Sequence, residues 1–275
     1  MMQEITRCGV AEMLPQWDAD AHKQTLGHLW IFGGSVGYSG APTLAAMGAQ
    51  SMRVGLVSLA VPASIYPLVA SASLEVMVHP QQQASWQGAD AVVAGPGWGR
   101  NQQLCLAQLL EISQPLLLDA DALNMVADSA GLRSQLRARS AVTLVTPHAG
   151  EAARLLDCDA GEVQCDRRRA LDCLVERFAC HVLLKGAGSL VGAPNGARWY
   201  SPFGSNRLAT AGSGDVLAGV AGALLAQGVA AENALVAAVA LHGLAGEKTG
   251  WYRAGALPDL IFGLAEAMRM GDESG

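Results

Sequence analysis

The chain of 275 residues lacks several features that would assign a class at once. Its first residues, MMQEITRCGVAEMLPQWDAD, hold no basic stretch leading into an apolar one, so no export signal is read there. It has six cysteines but no C-x-x-C pair. That argues against a metal or redox motif and against a disulfide framework, and favours a reducing, cytoplasmic setting. Cys158, Cys165, Cys173 and Cys180 recur at near-heptad spacing and are expected as small apolar residues on one helical stripe. Long uninterrupted apolar runs are missing too. The most apolar stretch, Val216 to Val239, carries Gln227 and Glu232 and reads as two core-packed helices broken near Gly228, not a membrane span. A basic face is absent at a net charge of −6. The one basic run, Arg167-Arg168-Arg169, is expected on a solvated helix face, so nucleic acid is excluded as a partner. There is no repeat, linker or charge block, and the expectation is a single domain over 1–275, with residues 1–24 an N-terminal helical extension.

What is present is a recurrent unit. Short apolar runs end in turn residues and are followed by helix-compatible stretches. They are Leu29 to Phe32, Val54 to Val61, Leu74 to His79, Ala91 to Ala94, Leu116 to Leu118, Val142 to Val145 and Val182 to Leu184. Continuous rather than alternating apolar strands predict burial on both faces. The fold class is therefore α/β, a mostly parallel central sheet flanked by helices on both faces. Residues 188–201, with Asn195-Gly196 at the turn, predict a small β-hairpin.

In such a sheet ligands bind beyond the carboxyl ends of the strands, and the unusual residues gather there. Gly33-Gly34-Ser35-Val36-Gly37-Tyr38-Ser39-Gly40-Ala41-Pro42 opens a helix with small residues whose amides can approach an anion. Gly95-Pro96-Gly97-Trp98-Gly99 leaves an uncrowded strand end for a flat ligand. Thr146-Pro147-His148-Ala149-Gly150-Glu151 presents a histidine beside those loops. Asp119 and Asp121 are two carboxylates at another strand end, either ordering Mg²⁺ through water or capping the next helix. Lys185-Gly186-Ala187-Gly188-Ser189 is a turn able to meet a nucleotide. The strongest cluster is Gly212-Ser213-Gly214-Asp215. Its glycines let backbone amides converge on an anion at a helix start, and Asp215 stands where a carboxylate could take the proton of an attacking hydroxyl. The competing reading of Asp215 is a helix cap.

In this order, GGSVGYSGAPTLAA, GPGWG, LLLDADALN, TPHAGE, LLKGAGS and ATAGSGDVLAG resemble the ADP- or ATP-dependent NAD(P)H-hydrate dehydratases, a ribokinase-like family. The resemblance spans about residues 30–225. It implies phosphorylation of the hydroxyl of hydrated NADH or NADPH, usually by ADP, and phosphate elimination that restores the cofactor. Carried over, it implies that Ala41, Gly97, His148 and Asp215 meet the hydrate, with Asp215 catalytic. It implies that Lys185, Gly186, Ala187, Gly188, Ser189, Gly212, Ser213 and Gly214 meet the nucleotide. Mg²⁺ is expected on the nucleotide and no metal directly on protein. The resemblance also implies a homo-oligomer, a tetramer being one form, and a dehydratase without the epimerase domain to which relatives are often fused. Departures are Gly204-Ser205-Asn206-Arg207-Leu208 before the anion loop, Ser189 where Thr is common, and a looser Ala49 to Gly55. Two alternatives stay open, a vitamin or sugar alcohol kinase of the same superfamily and a non-catalytic nucleotide-binding protein.

Overall fold

The computed structural model describes residues 2–17 and 20–271. The strands are β1 (Gln3–Glu4), β2 (His28–Phe32), β3 (Leu56–Val61), β4 (Met77–Pro80), β5 (Ala91–Ala94), β6 (Leu116–Leu118), β7 (Thr143–Val145), β8 (His181–Leu184), β9 (Leu190–Gly192) and β10 (Arg198–Tyr200). The helices are α1 (Arg7–Met13), α2 (Gly40–Gln50), α3 (Tyr66–Ala72), α4 (Gln103–Leu110), α5 (Ala120–Asp128), α6 (Ala130–Ala138), α7 (Ala149–Leu156), α8 (Ala160–Cys165), α9 (Arg167–Phe178), α10 (Ser213–Ala226), α11 (Ala231–Glu247) and α12 (Leu257–Arg269).

One 10-stranded sheet runs in the order β1-β10-β9-β8-β7-β6-β5-β2-β3-β4. From β4 to β8 every neighbouring pair is parallel. The hairpin β9–β10 continues the sheet antiparallel to β8. The chain turns back at β2, which pairs with β3 on one side and β5 on the other. That reversal is the switch point of the sheet, and the loops after β2 and β5 form one wall of a crevice beyond the strand ends.

Both faces of the sheet are covered. Leu29 and Ile31 of β2 join the core under α2, α10, α11 and α12, while Trp30 and Phe32 join the core under α4, α5 and α9. The same split along Leu116, Leu117 and Leu118 explains the continuous apolar strands. On the first face α2 and α10 touch backbone to backbone. A Cβ on Gly219 would lie 1.8 Å from the Ala45 carbonyl oxygen, and one on Gly48 would lie 2.3 Å from that of Val216. Two loops at the crevice, before α2 and before α10, are thereby fixed to each other.

Three expectations need correction. The N-terminal segment is not one helix. Thr6 caps α1 by accepting from the Gly9 amide, α1 stops at Leu14 before Pro15, and β1 pairs parallel with β10 (residues 1, 18 and 19 lie outside the described residues). The run from Leu74 enters the sheet only at Met77, because Leu74 is 94% exposed and has no apolar face to join. The cysteines share no helical stripe. Cys158 follows α7, Cys165 ends α8, Cys173 lies on α9 and Cys180 precedes β8. Cys158, Cys165 and Cys173 line an open cavity of about 870 Å³ between α6, α7, α8 and α9, and that cavity contains none of the expected site residues. Among the described residues no helix is long and apolar enough to cross a membrane.

Candidate active site

The loops after β2 and β5 meet through their backbones. The Gly34 amide donates to the Pro96 carbonyl at 2.8 Å, and the Ser35 hydroxyl donates to the Gly97 carbonyl at 2.8 Å. A Cβ on Gly97 would stand 2.7 Å from that of Ala41, so these two expected hydrate contacts are neighbours. Gly97 also has φ +57°, in the left-handed region. The next link is a carboxylate. Asp121, in the first turn of α5, accepts from the Gly99 amide at 2.8 Å.

Across the crevice the wall is built of charge. Lys185 follows β8 and Asp119 follows β6, and their Nζ–Oδ1 distance is 2.7 Å. Asp119 is 2% exposed and the Lys185 side chain 17% exposed, so this pair is largely withdrawn from water. Asp119 makes no side-chain cap to α5, so the capping alternative for it fails. Its neighbour Ala120 is held at φ 48°, a left-handed position for a non-glycine residue, of the kind that clusters at working sites. Burial pushes the Lys185 ammonium down, but Asp119, Glu151 and Asp215 raise it further, and the net shift is upward.

His148 caps α7. Its Nδ1 accepts from the Gly150 amide at 3.0 Å and the Glu151 amide at 3.3 Å, and Glu151 closes the box by accepting from the His148 amide at 2.8 Å. Burial, then Lys185 and Arg154, lower the His148 pKa, so the ring is neutral with its remaining proton on Nε2. Burial raises the Glu151 carboxyl, and that residue is 5% exposed. The TPH and KGAGS loops run together, with the Lys185 amide donating to the Pro147 carbonyl at 2.8 Å. Asn124 of α5 accepts from Arg154 of α7 at 2.6 Å and ties the second carboxylate helix to this wall.

The Gly212 to Asp215 loop lies above the pair. A Cβ on Gly214 would be 3.6 Å from Lys185 Nζ. The Ser213 amide donates to Thr210 and the Val216 amide to Gly212, so among the described residues the first-turn amides of Gly214 and Asp215 remain available to an anion. Ser213 turns inward: its hydroxyl donates to the Leu208 carbonyl at 2.7 Å, and buried His242 of α11 sits 2.9 Å from the Ser213 carbonyl. Burial pushes His242 down to about 4, so it is neutral and its Nε2–H donates. Asp215 is the third residue of α10, whose cap position is Gly212, so it is not the helix cap. Its carboxyl is pushed up to about 7 by burial first, then by Asp119 and Asp121, with Lys185 opposing. A carboxyl with that pKa is suited to receive and release a proton near neutrality.

The remaining nucleotide candidates form a tight turn. Ser189 Oγ donates to the Gly186 carbonyl at 3.0 Å and accepts from the Gly186 amide at 3.3 Å, while Ala187 is exposed at the tip. Among the described residues no three His, Cys, Asp or Glu side chains gather as a metal shell. Asp119 already carries an ammonium and Asp121 an amide, a poor donor set for a second cation. Sequence reasoning did not find the Lys185–Asp119 pair, Asn124–Arg154, or His242. The first two join residues far apart in the chain, and His242 lies in an alanine-rich helix with no local motif.

A family model described as NAD(P)H-hydrate dehydratase matches residues 29–261. A bifunctional NAD(P)H-hydrate repair enzyme of Gloeobacter violaceus is 41% identical over 260 residues, covering 90% of this chain and 49% of that protein. An ADP-dependent (S)-NAD(P)H-hydrate dehydratase of Neisseria meningitidis is 40% identical over 234 residues, covering 83% of this chain and 79% of that protein. The chain spans about half the length of the first curated relatives it matches. Among solved structures, an ADP/ATP-dependent NAD(P)H-hydrate dehydratase of Bacillus subtilis, co-crystallised with ATP and Mg²⁺, superposes with a TM-score of 0.85 at 25% identity, covering 97% of this chain and 99% of that one. The architecture is the ribokinase-like one.

Proposed function

The chain belongs to the NAD(P)H-hydrate dehydratase family, and from that premise we propose that it is an ADP-dependent hydro-lyase that returns hydrated NADH and NADPH to the intact cofactors. The observation that carries this reading is Asp215. It stands at the first turn of α10, beside open amides and above the Lys185–Asp119 pair, with its carboxyl raised to about 7.

The hydrate lies against the wall formed by the Ala41 and Gly97 loops, with the His148 ring, its Nε2 3.3 Å from Glu151 Oε1, on the opposite wall. Asp215 accepts the proton of the ring hydroxyl as that oxygen attacks the terminal phosphorus of the nucleotide. The Gly214 and Asp215 amides and the positive end of α10 stabilise charge on the transferring group. The ring nitrogen lone pair then expels phosphate, and loss of a proton from the adjacent ring carbon restores the double bond. That second half is the substrate's own chemistry. The nucleotide lies along Lys185 to Ser189. Mg²⁺ enters with it as part of the nucleotide complex.

Purified protein incubated with hydrated NADH, Mg²⁺ and either ADP or ATP should regain reduced-nicotinamide absorbance and release one phosphate per turnover. A stable phosphorylated product would instead support a small-molecule kinase. No turnover with intact nucleotide binding would support a non-catalytic protein. Faster turnover with ATP than with ADP would overturn the choice of donor.

A further inference from the structure

Arg167 leads the basic run expected on a solvated face, and it does not lie there. Arg168 and Arg169 are exposed, but Arg167 is half-buried and folds back onto the turn after β8. Its NH2 donates to the Leu184 carbonyl at 3.1 Å and the Gly188 carbonyl at 3.4 Å, and its NH1 to the Lys185 carbonyl at 3.5 Å. One guanidinium thus holds both the entry and the exit of the Lys185 to Ser189 turn. The fit is close, for a Cβ on Gly186 would meet Arg167 NH1 at 2.7 Å.

Two features say this is more than packing. Arg167 is the first residue of α9, where a cation opposes the helix dipole, so local helix energetics do not favour it. Among the described residues no carboxylate pairs with it; its one side-chain partner is Gln164 at 3.3 Å. A partly buried cation without a counter-charge raises the potential around the turn it grips. Lys185, by contrast, is already neutralised by Asp119.

We propose that Arg167 is a positioning residue for the phosphoryl donor: it fixes the Lys185 to Ser189 turn and supplies the uncompensated positive charge that draws the nucleotide's phosphates to it. The inference rests on the assignment of that turn to the nucleotide.

The experiment measures ADP–Mg²⁺ binding by calorimetry, and steady-state constants for both substrates, in Arg167→Met, Arg167→Gln, Arg167→Lys and Ala187→Trp. Arg167→Met should weaken ADP binding about tenfold or more, as expected for lost charge-assisted hydrogen bonds, with the hydrate KM within about twofold. Arg167→Gln keeps a donor but no charge and should be nearly as weak; Arg167→Lys keeps the charge and should recover part of the affinity and its salt dependence. Ala187→Trp, at the exposed tip, should block the nucleotide without disturbing the fold. If Ala187→Trp abolishes ADP binding while folded Arg167→Met and Arg167→Gln bind normally, the inference fails and the turn's assignment stands. If neither Ala187→Trp nor any Arg167 variant changes ADP binding, the assignment itself fails. Equal losses for hydrate and nucleotide would reduce Arg167 to a structural residue.

Discussion

The two walls of the crevice are built by opposite means. The wall of the β2 and β5 loops is backbone and glycine. Gly34 bonds Pro96, Gly97 leaves room for Ala41, and its polar contacts are mostly between main-chain groups. The wall at the ends of β6, β7 and β8 is side chain and charge: Asp119, Lys185, His148 and Glu151, each bonded to another member or to the backbone beside it. The first kind of wall offers shape and excludes anything bulky. The second offers potential and proton affinity. A flat, partly apolar ring suits one, and phosphate chemistry suits the other, and Asp215 stands where both can reach it.

The sharpest break in this contrast is Asp215→Asn. Asn is nearly isosteric and cannot take a proton, so turnover should fall at least about 10²–10⁴-fold with ADP binding retained. In the native enzyme kcat/KM should rise with pH to a plateau above about 7, where Asp215 is ionised. The sign for stability is the reverse. The folded-state pKa is above that of the unfolded chain, so Asp215 costs stability as pH rises from the ordinary carboxylate range through about 7. Asp215→Asn should therefore gain on the native protein at pH 8 in calorimetry, with the gain fading in acid. Activity within a few-fold of native would end the assignment.

Lys185→Met tests the charged wall itself. It strands the buried Asp119 carboxylate, and breaking such a pair costs about 3–5 kcal/mol. Because Lys185 opposes the rise of Asp215, its loss should move the acid limb of the rate profile to higher pH. An unshifted limb in a folded variant would mean that Lys185 serves the nucleotide alone.

Gly97→Ala tests the backbone wall. At φ +57° an L side chain costs about 1–2 kcal/mol, and its Cβ would press on Ala41. Melting temperature should fall and hydrate KM should rise together, while nucleotide KM stays put. A drop in melting temperature alone would leave Gly97 a turn residue.

The smallest effect belongs to His148, which caps α7 and is proposed to meet the hydrate. His148→Asn can still cap α7, so stability should hold, while the hydrate KM rises by about tenfold for a lost hydrogen bond. His148→Ala should add roughly 1 kcal/mol of instability from the lost cap. If Asn behaves as the native residue in both assays, the ring is a cap and nothing more.

This division also explains what could be read from the chain alone. The backbone wall announces itself locally, since a strand end of this kind needs glycine and small residues in a row, and GGSVGYSGAP and GPGWG supply them. The charged wall is assembled across strands. Asp119 and Lys185 meet only because β6, β7 and β8 lie side by side in register, and no local pattern records that. The run Arg167-Arg168-Arg169 reads as one solvated face, although one residue of rotation on a helix turns a side chain by roughly 100°, enough to send Arg167 inward. Ser189 reads as a ligand contact by its hydroxyl, yet that hydroxyl closes its own turn.

The bare backbone contact between α2 and α10 has a mechanical consequence. With no side chain between Gly219 and Ala45, or between Gly48 and Val216, the two helices cannot slide by a residue without driving a methyl group or larger into a carbonyl oxygen. Asp215 and the Ala41 loop therefore travel as one rigid jaw.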